Sequence, residues 1–479
     1  MSSEGESMVR KIVENAQPAG PHRLREKEDV SDRVNSGHTV DELNQLVADT
    51  PDYAPRQVAD APTKGADTVG WPESIDEAAY HGITGEIVKT IMPHTEADPA
   101  ALLFTFLTFV GNAIGRSPHA RAEADRHGTN LMTILTGQTA KARKGSSEGH
   151  IRELFKRVDP DWIDNCVKGG LSSGEGLLFA VRDPIEKTEV VREKGKATGE
   201  YETVITDQGV DDKRLLASEP EFASVLKVMS GDSNILSALI RQAWDRGDLR
   251  TMTKNSPMTA TGAHISILGH ITKDELMRHL NDTETANGFA NRFLWACVRR
   301  ANILPEGGGP PDYRVIVPRL HEALGRARNV GEVKRNEEAR MAWRAIYEEL
   351  SDGKPGLFGS VTARAEAQVL RLSVIYAALD GESEIKRCHL DAALAVWEYA
   401  ENSAAYIFGD AIGDPVADRI LEGLRLQGEM TRTEISALFN RNTKATRMSQ
   451  ALDKLRDARR VHLEKRDTDG RSVEIWVAA

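Results

Sequence analysis

The 479-residue sequence has few cysteines and no long apolar run, and each absence excludes a class of protein. Its three cysteines, Cys166, Cys297 and Cys388, are far apart, which argues against a disulfide framework and a CxxC-type zinc site. The longest apolar run, Ala100 to Val110, is about half of what a bilayer crossing needs. The charged N-terminal residues also lack the apolar stretch of a signal peptide. We therefore expect a soluble, cytoplasmic protein.

The chain also has no excess of basic residues, since its net charge is −11. This charge argues against a basic coat over the whole surface, although an acidic total is compatible with a local basic channel. Hydrophobic residues make up 40% of the chain, enough for two or three domains with at least one large core.

The first 128 residues change character near residue 70. Residues 1–70 are polar, have Tyr53 as their only aromatic residue, and are predicted to form a disordered arm. Apolar periodicity then predicts helices over Ile83–Ile91 and Pro99–Ile114, within a helical N-terminal subdomain of residues 71–128.

An α/β core is predicted over residues 129–304. It opens with a strand at Leu131–Thr136 and a helix at Glu148–Arg157. Residues 183–213 are rich in charge and glycine and predict an exposed hairpin inserted into this core. The glycine- and proline-rich segment Arg300–Tyr313 predicts a linker that ends it.

Two further segments follow the linker. Residues 314–410 predict a helical subdomain, with strong stripes at Ala365–Leu379 and Leu390–Ile407. In residues 414–479, helices at Val416–Leu426, from Thr431 to Leu438 and at Asn442–Arg459 precede alternation around Asp469-Gly470. That order predicts a winged helix-turn-helix.

The segment GQTAKARKGSS, from Gly137 to Ser147, lies between a strand and a helix, as a phosphate-binding loop must. It departs from GxxxxGK[ST] because Ala142 replaces the second glycine and Gly145 separates Lys144 from serine. Lys144 is favoured for the β/γ-phosphates, with Lys141 as the alternative, and Ser146 or Ser147 for the magnesium hydroxyl. The predicted nucleotide-binding residues are Gly137, Thr139, Lys141, Lys144, Gly145, Ser146 and Ser147. A basic surface turn before a helix is the other interpretation.

Three acidic residues are candidates for magnesium and water. Glu219 and Glu221 end the apolar strand of RLLASEPE, where one carboxylate would position magnesium and another would orient the attacking water. Glu175, in the glycine-rich segment GLSSGEG, is a second candidate base. The alternatives are dipole compensation by Glu221 at a helix N-terminus and a solvated Glu175 in the first turn of a helix.

Two further motifs complete the core. HISILGHIT is an apolar strand ending in polar side chains, of which His270 or Thr272 would sense the γ-phosphate. In NGFANRFLW, Arg292 is placed to act as an arginine finger towards a neighbouring subunit, with Arg299 and Arg300 as alternatives. A structural role for His270 and pairing of these arginines with local acids are the other interpretations.

Taken in order, GQTAKARKGSS, GLSSGEGLLFAVRD, DKRLLASEPEF, HISILGHIT and NGFANRFLW resemble a family encoded by phages, plasmids and integrated elements. Its members look like RecA-type replicative helicases or primase-associated P-loop ATPases. The resemblance covers roughly Ile75 to Gly409. It implies a RecA-like α/β core, hydrolysis of ATP with Mg²⁺, assembly into a ring, most simply a hexamer, and a role in element replication.

The C-terminal segment is less acidic than the rest of the chain, with thirteen lysines and arginines against eleven acidic residues over residues 414–479. A DNA reader would place basic side chains of the turn, the longer helix and the wing on phosphates. The candidates are Arg432, Arg441, Lys444, Arg447, Lys465, Arg466 and Arg471. The interspersed aspartates leave a protein-docking winged helix as the alternative.

Together these features predict an ATP-dependent DNA motor resembling the replicative helicase of a mobile genetic element. DNA, further copies of the chain and a primase or other replication protein are the expected partners. The alternatives are a non-hydrolysing oligomeric DNA-binding or initiator scaffold, and an ATPase regulator or defence factor that does not unwind DNA.

Overall fold

The computed structural model describes residues 70–138, 142–193, 196–231, 234–252, 257–280, 282–354, 356–409, 414–439, 442–458, 460–468 and 471–479. All of them belong to the unit Asp67–Ala479. The predicted arm, residues 1–70, therefore lies outside the described residues except for Gly70.

The described part of the chain is a mixed α/β structure with helices throughout. Three short 3-10 helices are Glu77–Tyr80, Met92–His94 and Ala290–Arg292. The α-helices are α1 (Gly82–Ile91), α2 (Pro99–Ile114), α3 (Lys144–Val158), α4 (Pro160–Cys166), α5 (Gly174–Phe179), α6 (Phe222–Met229), α7 (Leu236–Asp245), α8 (Lys273–His279), α9 (Asp282–Ala286), α10 (Ile316–Ala327), α11 (Glu337–Ser351), α12 (Gly356–Thr362), α13 (Ala365–Leu379), α14 (Arg387–Phe408), α15 (Pro415–Gln427), α16 (Arg432–Ala437) and α17 (Ala445–Asp457).

The strands form one central sheet and several small ones. They are β1 (Ala120–Ala122), β2 (Asp125–His127), β3 (Met132–Gly137), β4 (Val167–Lys168), β5 (Ile185–Glu193), β6 (Lys196–Asp207), β7 (Arg214–Glu219), β8 (Leu249–Thr251), β9 (Met258–Ala260), β10 (His264–Thr272), β11 (Leu294–Cys297), β12 (Lys334–Arg335), β13 (Glu384–Ile385), β14 (Glu429–Thr431), β15 (Val461–Thr468) and β16 (Arg471–Ala478).

The central sheet has five parallel strands in the order β11, β3, β10, β7 and β4. Parallel strands need cover on both faces, and every residue of β3 is buried. Because successive side chains point to opposite faces, Leu135 belongs to one hydrophobic core and Ile134 to the other. Helices α2, α3, α10 and α13 cover the first face and α5 to α8 the second. The result is an α/β fold of three layers.

Helix α2 has the predicted bounds and is buried along almost its whole length. One polar side chain inside it fixes the sheet. Asn112 donates from Nδ2 to the carbonyl oxygens of Leu215 and His264, both at 3.0 Å. Its Oδ1 accepts from Trp162 Nε1 at 3.1 Å. The first residues of β7 and β10 are therefore held in register from the helical layer.

The predicted linker does not separate the helices that follow it from the sheet. His94 Nδ1 donates to the carbonyl of Gly308 at 2.6 Å, so the segment is anchored to the N-terminal helices. Beyond it, α14 packs beside β11, where the backbone N–H of Cys297 donates to Ser403 Oγ at 3.0 Å. The predicted stripes over 365–379 and 390–407 correspond to α13, which covers one face of the sheet, and to α14, whose buried residues contribute to both cores.

The predicted inserted hairpin is present as the exposed antiparallel pair β5 and β6. Its base is closed by Arg182, whose Nη2 lies 2.8 Å from Asp207 Oδ1. The hairpin thus projects from the core between α5 and β7.

The C-terminal segment has its own small core. Three helices, α15 to α17, pack on an antiparallel sheet in the order β14, β16, β15. Thr431 caps α16 in a capping box with Glu434, as its sequence indicates. Arg460 Nη2 donates to the carbonyl of Gly409 at 3.2 Å and joins this segment to the end of α14. The predicted turn Asp469-Gly470 lies outside the described residues.

Among the helices in the described ranges, none combines the length and the apolar content that a membrane crossing requires.

Candidate functional site

Four of the six residues predicted for catalysis, Lys144, Glu219, Glu221 and His270, lie at the carboxyl edge of the central sheet. The chain leaves β3 towards β4 at one edge of the sheet, whereas it leaves β10 towards β11 at the other edge. A topological switch point therefore lies between β3 and β10, and ligands of open α/β sheets bind in the crevice at such a point.

Helix α3 begins at this crevice. Its N-cap, Arg143, has the left-handed backbone conformation with φ 56° and makes no side-chain capping hydrogen bond. Its first turn has no acidic residue. The free N–H groups and the positive end of the helix dipole at Lys144 are therefore not compensated within the helix, and they favour an anion.

Lys144 is the predicted phosphate lysine that the structure describes. Burial lowers the pKa of its ammonium, and the nearby carboxylates of Glu275 and Glu221 partly oppose this effect. The side chain thus faces acidic groups from α8 and the end of β7. The alternative Lys141 and the predicted loop residue Thr139 lie outside the described residues.

The remaining loop candidates lie around the start of α3. Gly137 is the last residue of β3, and Gly145 is exposed in the first turn of α3. The buried Ser147 donates from Oγ to the carbonyl of Lys144 at 2.7 Å. Since that hydroxyl is engaged within the helix, the partly exposed Ser146 fits the proposed magnesium ligand better.

Glu219 ends β7 and is almost fully buried. Its Oε1 accepts hydrogen bonds from the backbone N–H groups of Gly170 and Leu171 at 2.7 and 2.8 Å. These bonds fix the carboxylate at the carboxyl edge of the sheet. They also bring the glycine-rich segment that precedes Glu175 against the site.

Glu221 and Glu175 differ in their surroundings. Glu221 is exposed at the N-cap of α6 but makes no side-chain capping bond, and it acts on the charge of Lys144. Glu175 is exposed in the first turn of α5, whose cap is Ser173. Of the two predicted water-orienting residues, Glu221 is the one that the structure brings near Lys144.

His270 lies on β10 and is 3% exposed. Burial lowers its pKa to about 4, the carboxylate of Glu148 opposes this, and Lys144 adds to it. Its Nε2 lies 3.8 Å from Glu148 Oε2 and has no hydrogen-bond partner among the described residues. His270 is therefore a neutral, buried imidazole at the site. Thr272, the other predicted sensor, is engaged in a capping box with Glu275.

Glu148 was not predicted from the sequence as a site residue. Its Oε1 accepts from Ser218 Oγ at 2.5 Å and from Arg152 Nη2 at 2.7 Å. One carboxylate thereby joins α3 to β7 and faces β10. The available signal was the spacing of Lys144, Glu148 and Arg152, which places all three on one face of a helix.

Two aromatic residues border the end of β3. Gln138 Nε2 donates to the phenolic oxygen of Tyr406 at 2.9 Å. The ring of Tyr406 meets that of Trp71 edge-on at 5.2 Å between centroids, and Lys273 Nζ lies 4.3 Å from the Tyr406 centroid. The last turn of α14 is thus part of the surroundings of the loop.

The prediction that Arg292 is an arginine finger does not fit the structure. Its side chain is 5% exposed, and its Nη2 lies 2.6 Å from Asp245 Oδ2. Its Nη1 donates to the carbonyl of Gly288. A guanidinium held in this way does not extend towards another subunit. The alternative Arg299 is exposed at the carboxyl edge of the sheet, while Arg300 pairs with Glu96.

The candidate DNA contacts fall into different groups. Arg432, Lys444 and Lys465 are exposed, and Arg432 also donates to Ser449. Arg447 instead pairs with the buried Asp414 at 2.6 Å, and Arg466 pairs with Glu429 at 2.6 Å. Both guanidinium groups are engaged in ion pairs within the segment, and their contacts with DNA stay a prediction. Arg441 and the side chain of Arg471 lie outside the described structure.

Comparison with protein-family models and with curated proteins found no match for this chain. The residues at the carboxyl edge of the sheet therefore carry the functional inference by themselves.

Proposed function

We propose that the chain is a magnesium- and ATP-dependent motor that acts on DNA, resembling a replicative helicase of a mobile genetic element and working as a ring, most simply a hexamer. The observation that carries this proposal is the uncompensated N-terminus of α3, with Lys144, at the switch point between β3 and β10. The sheet order also fits the RecA-like core implied by the resemblance.

In this proposal the phosphates bind at the first turn of α3. The backbone N–H groups after Gly137 and at the start of α3 donate to phosphate oxygens, and Lys144 contributes its positive charge. Ser146 and Glu219 would hold magnesium, because hydroxyl and carboxylate oxygens suit that ion. When bound, magnesium neutralises charge that develops on the transferred phosphoryl group.

The acidic and imidazole groups around Lys144 have separate tasks. Glu221, exposed beside Lys144, orients the attacking water. His270 is neutral at physiological pH and offers a ring nitrogen to the γ-phosphate side of the crevice. Glu148 positions His270, since its Oε2 faces the imidazole while its Oε1 is held by Ser218.

The DNA-binding part of the proposal rests on residues 414–479. The order helix, strand, helix, helix, strand, strand supports a winged helix, in which α17 would lie in the major groove. Lys444 at the N-cap of α17 and Arg432 on α16 are exposed and lie towards the same end of α17. They would contact phosphates, with Lys465 on the wing.

A steady-state ATPase assay with and without single-stranded DNA tests the proposal. We expect DNA-stimulated turnover in the parent protein and a loss of at least about 100-fold in Lys144→Ala. Lys156→Ala, at an exposed position of the same helix, is the matched control and should retain turnover. Absence of turnover in the parent protein overturns the motor and favours a DNA-binding scaffold. Turnover without strand displacement on forked DNA would instead identify a regulator.

A further inference from the structure

A second group of polar side chains lies away from the α3 loop, on helix α13. Arg364, Gln368 and Arg371 are spaced by four and three residues and so share one face of the helix from its N-cap onwards. That face meets Trp244: the guanidinium carbon of Arg371 lies 3.9 Å from the centre of the ring, and that of Arg364 lies 5.2 Å away. Arg292 approaches the same ring at 5.7 Å. We call Trp244, Arg292, Arg364, Gln368 and Arg371 the Trp244 cluster.

Several buried polar atoms of the Trp244 cluster have no hydrogen-bond partner among the described residues. They are both amide atoms of Gln368, Nε of Arg371, Nε of Arg292 and the indole nitrogen of Trp244. The four side chains are between 0% and 5% exposed. Buried polar groups in folded proteins are nearly always paired. Because four of these five atoms are donors, they call for a ligand that brings acceptors.

The charges of the Trp244 cluster also favour a ligand that carries acceptor atoms and negative charge. Within the described ranges, Asp245 is the one acid that forms ion pairs with it, at 2.6 Å from Arg292 and 3.7 Å from Arg364. Asp125 and Glu366 act on Arg364 without an ion pair among the described residues. Arg371 donates to Asn130 Oδ1 and to the carbonyl of Trp244; in the part of the chain that the structure describes it forms no ion pair, although the charge of Asp245 acts on it. Three guanidinium groups thus share one directly bound carboxylate.

The cluster is open to solvent on one side. Arg364 and Asp245 are each about one-third exposed, while Arg371 and Gln368 are buried. Arg364 is also the N-cap of the fifteen-residue helix α13 and makes no side-chain capping bond. Free N–H groups of the first turn therefore lie beside the guanidinium groups, although Glu366 in the same turn offsets part of the dipole.

We propose that the Trp244 cluster binds a phosphate group, at a site distinct from the α3 loop. A phosphate offers several strong acceptor oxygens and matches guanidinium donors in geometry and charge, better than a single carboxylate does. The phosphate comes either from a small molecule, such as inorganic phosphate or a nucleotide, or from a nucleic-acid backbone. This proposal does not depend on hydrolysis at the α3 loop.

The test uses the full chain with Lys144→Ala as the parent, so that binding at the α3 loop is weakened. Inorganic phosphate is titrated calorimetrically against a chloride control of equal ionic strength. We expect saturable binding in this parent and at least a tenfold weaker affinity after adding Gln368→Leu or Arg371→Met. Arg335→Met is the matched control and should leave the affinity unchanged, because Arg335 stacks on Trp343 at the same 3.9 Å outside the cluster.

Gln368→Leu keeps the test decisive if Arg371→Met does not fold. It has similar volume and removes a buried amide without a partner, so the variant should be at least as stable as its parent. Unchanged phosphate affinity in Gln368→Leu, or no saturable binding in the parent, overturns the proposal. If a single-stranded oligonucleotide displaces bound phosphate, the source is a nucleic-acid backbone; if only nucleotides displace it, the source is a small molecule.

Discussion

Asp414 holds the C-terminal segment together through two cations and a helix cap, and its substitution gives a quantitative prediction. The carboxylate is 1% exposed and lies 2.6 Å from Arg447 and 2.7 Å from Lys454. It also accepts from the backbone N–H groups of Val416 and Ala417 and so caps α15. Asp414→Asn removes the charge but keeps a good capping residue, whereas Asp414→Ala removes both.

The expected cost follows from these contacts. A hydrogen bond between charged groups contributes about 1.5–3 kcal/mol when buried, and partial exposure of both cations reduces this to about 1 kcal/mol each. Asp414→Asn should therefore lower the free energy of local unfolding by about 2 kcal/mol. Asp414→Ala adds the loss of a cap, about 1 kcal/mol, for a total of about 3 kcal/mol.

Hydrogen exchange of the amides in α15 and α17 measures this cost. At neutral pH we expect exchange to be about 30-fold faster in Asp414→Asn and about 160-fold faster in Asp414→Ala. Asp453→Asn, which breaks an exposed pair with Arg456, is the control and should change exchange by less than about twofold. Parent-like exchange in Asp414→Asn would refute the reasoning.

The same residue predicts a dependence on pH. Burial would raise the pKa of Asp414, but the hydrogen bonds from Arg447 and Lys454 outweigh it and hold the pKa below its usual range. A carboxyl group with a depressed folded-state pKa contributes stability above its unfolded-state pKa, about 4, and that stability is lost as the pH falls further. The difference between the parent and Asp414→Asn should therefore shrink below about pH 4.

Three further predictions follow from other contacts. Lys444→Met should weaken binding to duplex DNA and reduce its salt dependence by about one phosphate contact, without changing the free energy of unfolding. Arg447→Met should instead lower the free energy of unfolding. Fluorescence anisotropy measures the DNA binding and urea unfolding measures the stability. Glu148→Gln should lower kcat for ATP by about tenfold or more with little change in ATP affinity. Glu153→Gln, on the exposed face of α3, is the control and should leave kcat unchanged. Steady-state turnover measures kcat, and stopped-flow binding measures the affinity. The hydrogen bond to Asp380 raises the pKa of His81, so the stability it adds is present below about pH 6.5 and is lost as the pH rises; His81→Phe should cost about 1 kcal/mol at pH 6 and less at pH 8.5 in urea titrations.

Local elements were predictable from the sequence where one apolar pattern dominates. Helices α2 and α13 have the predicted bounds because their buried stripes are read from neighbouring residues, and in α2 also because Asp98 caps the start of the helix. Helix α17 begins at Ala445, three residues after the predicted Asn442. Its N-cap, Lys444, offers no side-chain acceptor that would mark the start in the sequence.

The partners of the charged side chains were not predictable, because they come from distant parts of the chain. Arg292 pairs with Asp245, 47 residues earlier, and this contact decides between a finger and a buried ion pair. Glu148 meets Ser218 only because β10 and β7 lie on the same side of β3 in the sheet, and strand order is not encoded in local periodicity. The α/β core itself was expected, but the position of β10 between β3 and β7 was not.

The hydrogen bond between Gln138 and Tyr406 connects the end of β3 to helix α14. Tyr406 lies in the last turn of α14, and Gly409, directly after that helix, is bonded to Arg460 of the C-terminal segment. The last turn of α14 therefore contacts Gln138, directly after β3, and leads into Gly409, which is bonded to the C-terminal segment. We expect Tyr406→Phe, which deletes the oxygen that accepts from Gln138, to remove this hydrogen bond while leaving the contacts of Tyr406 with Lys273 and Trp71 in place.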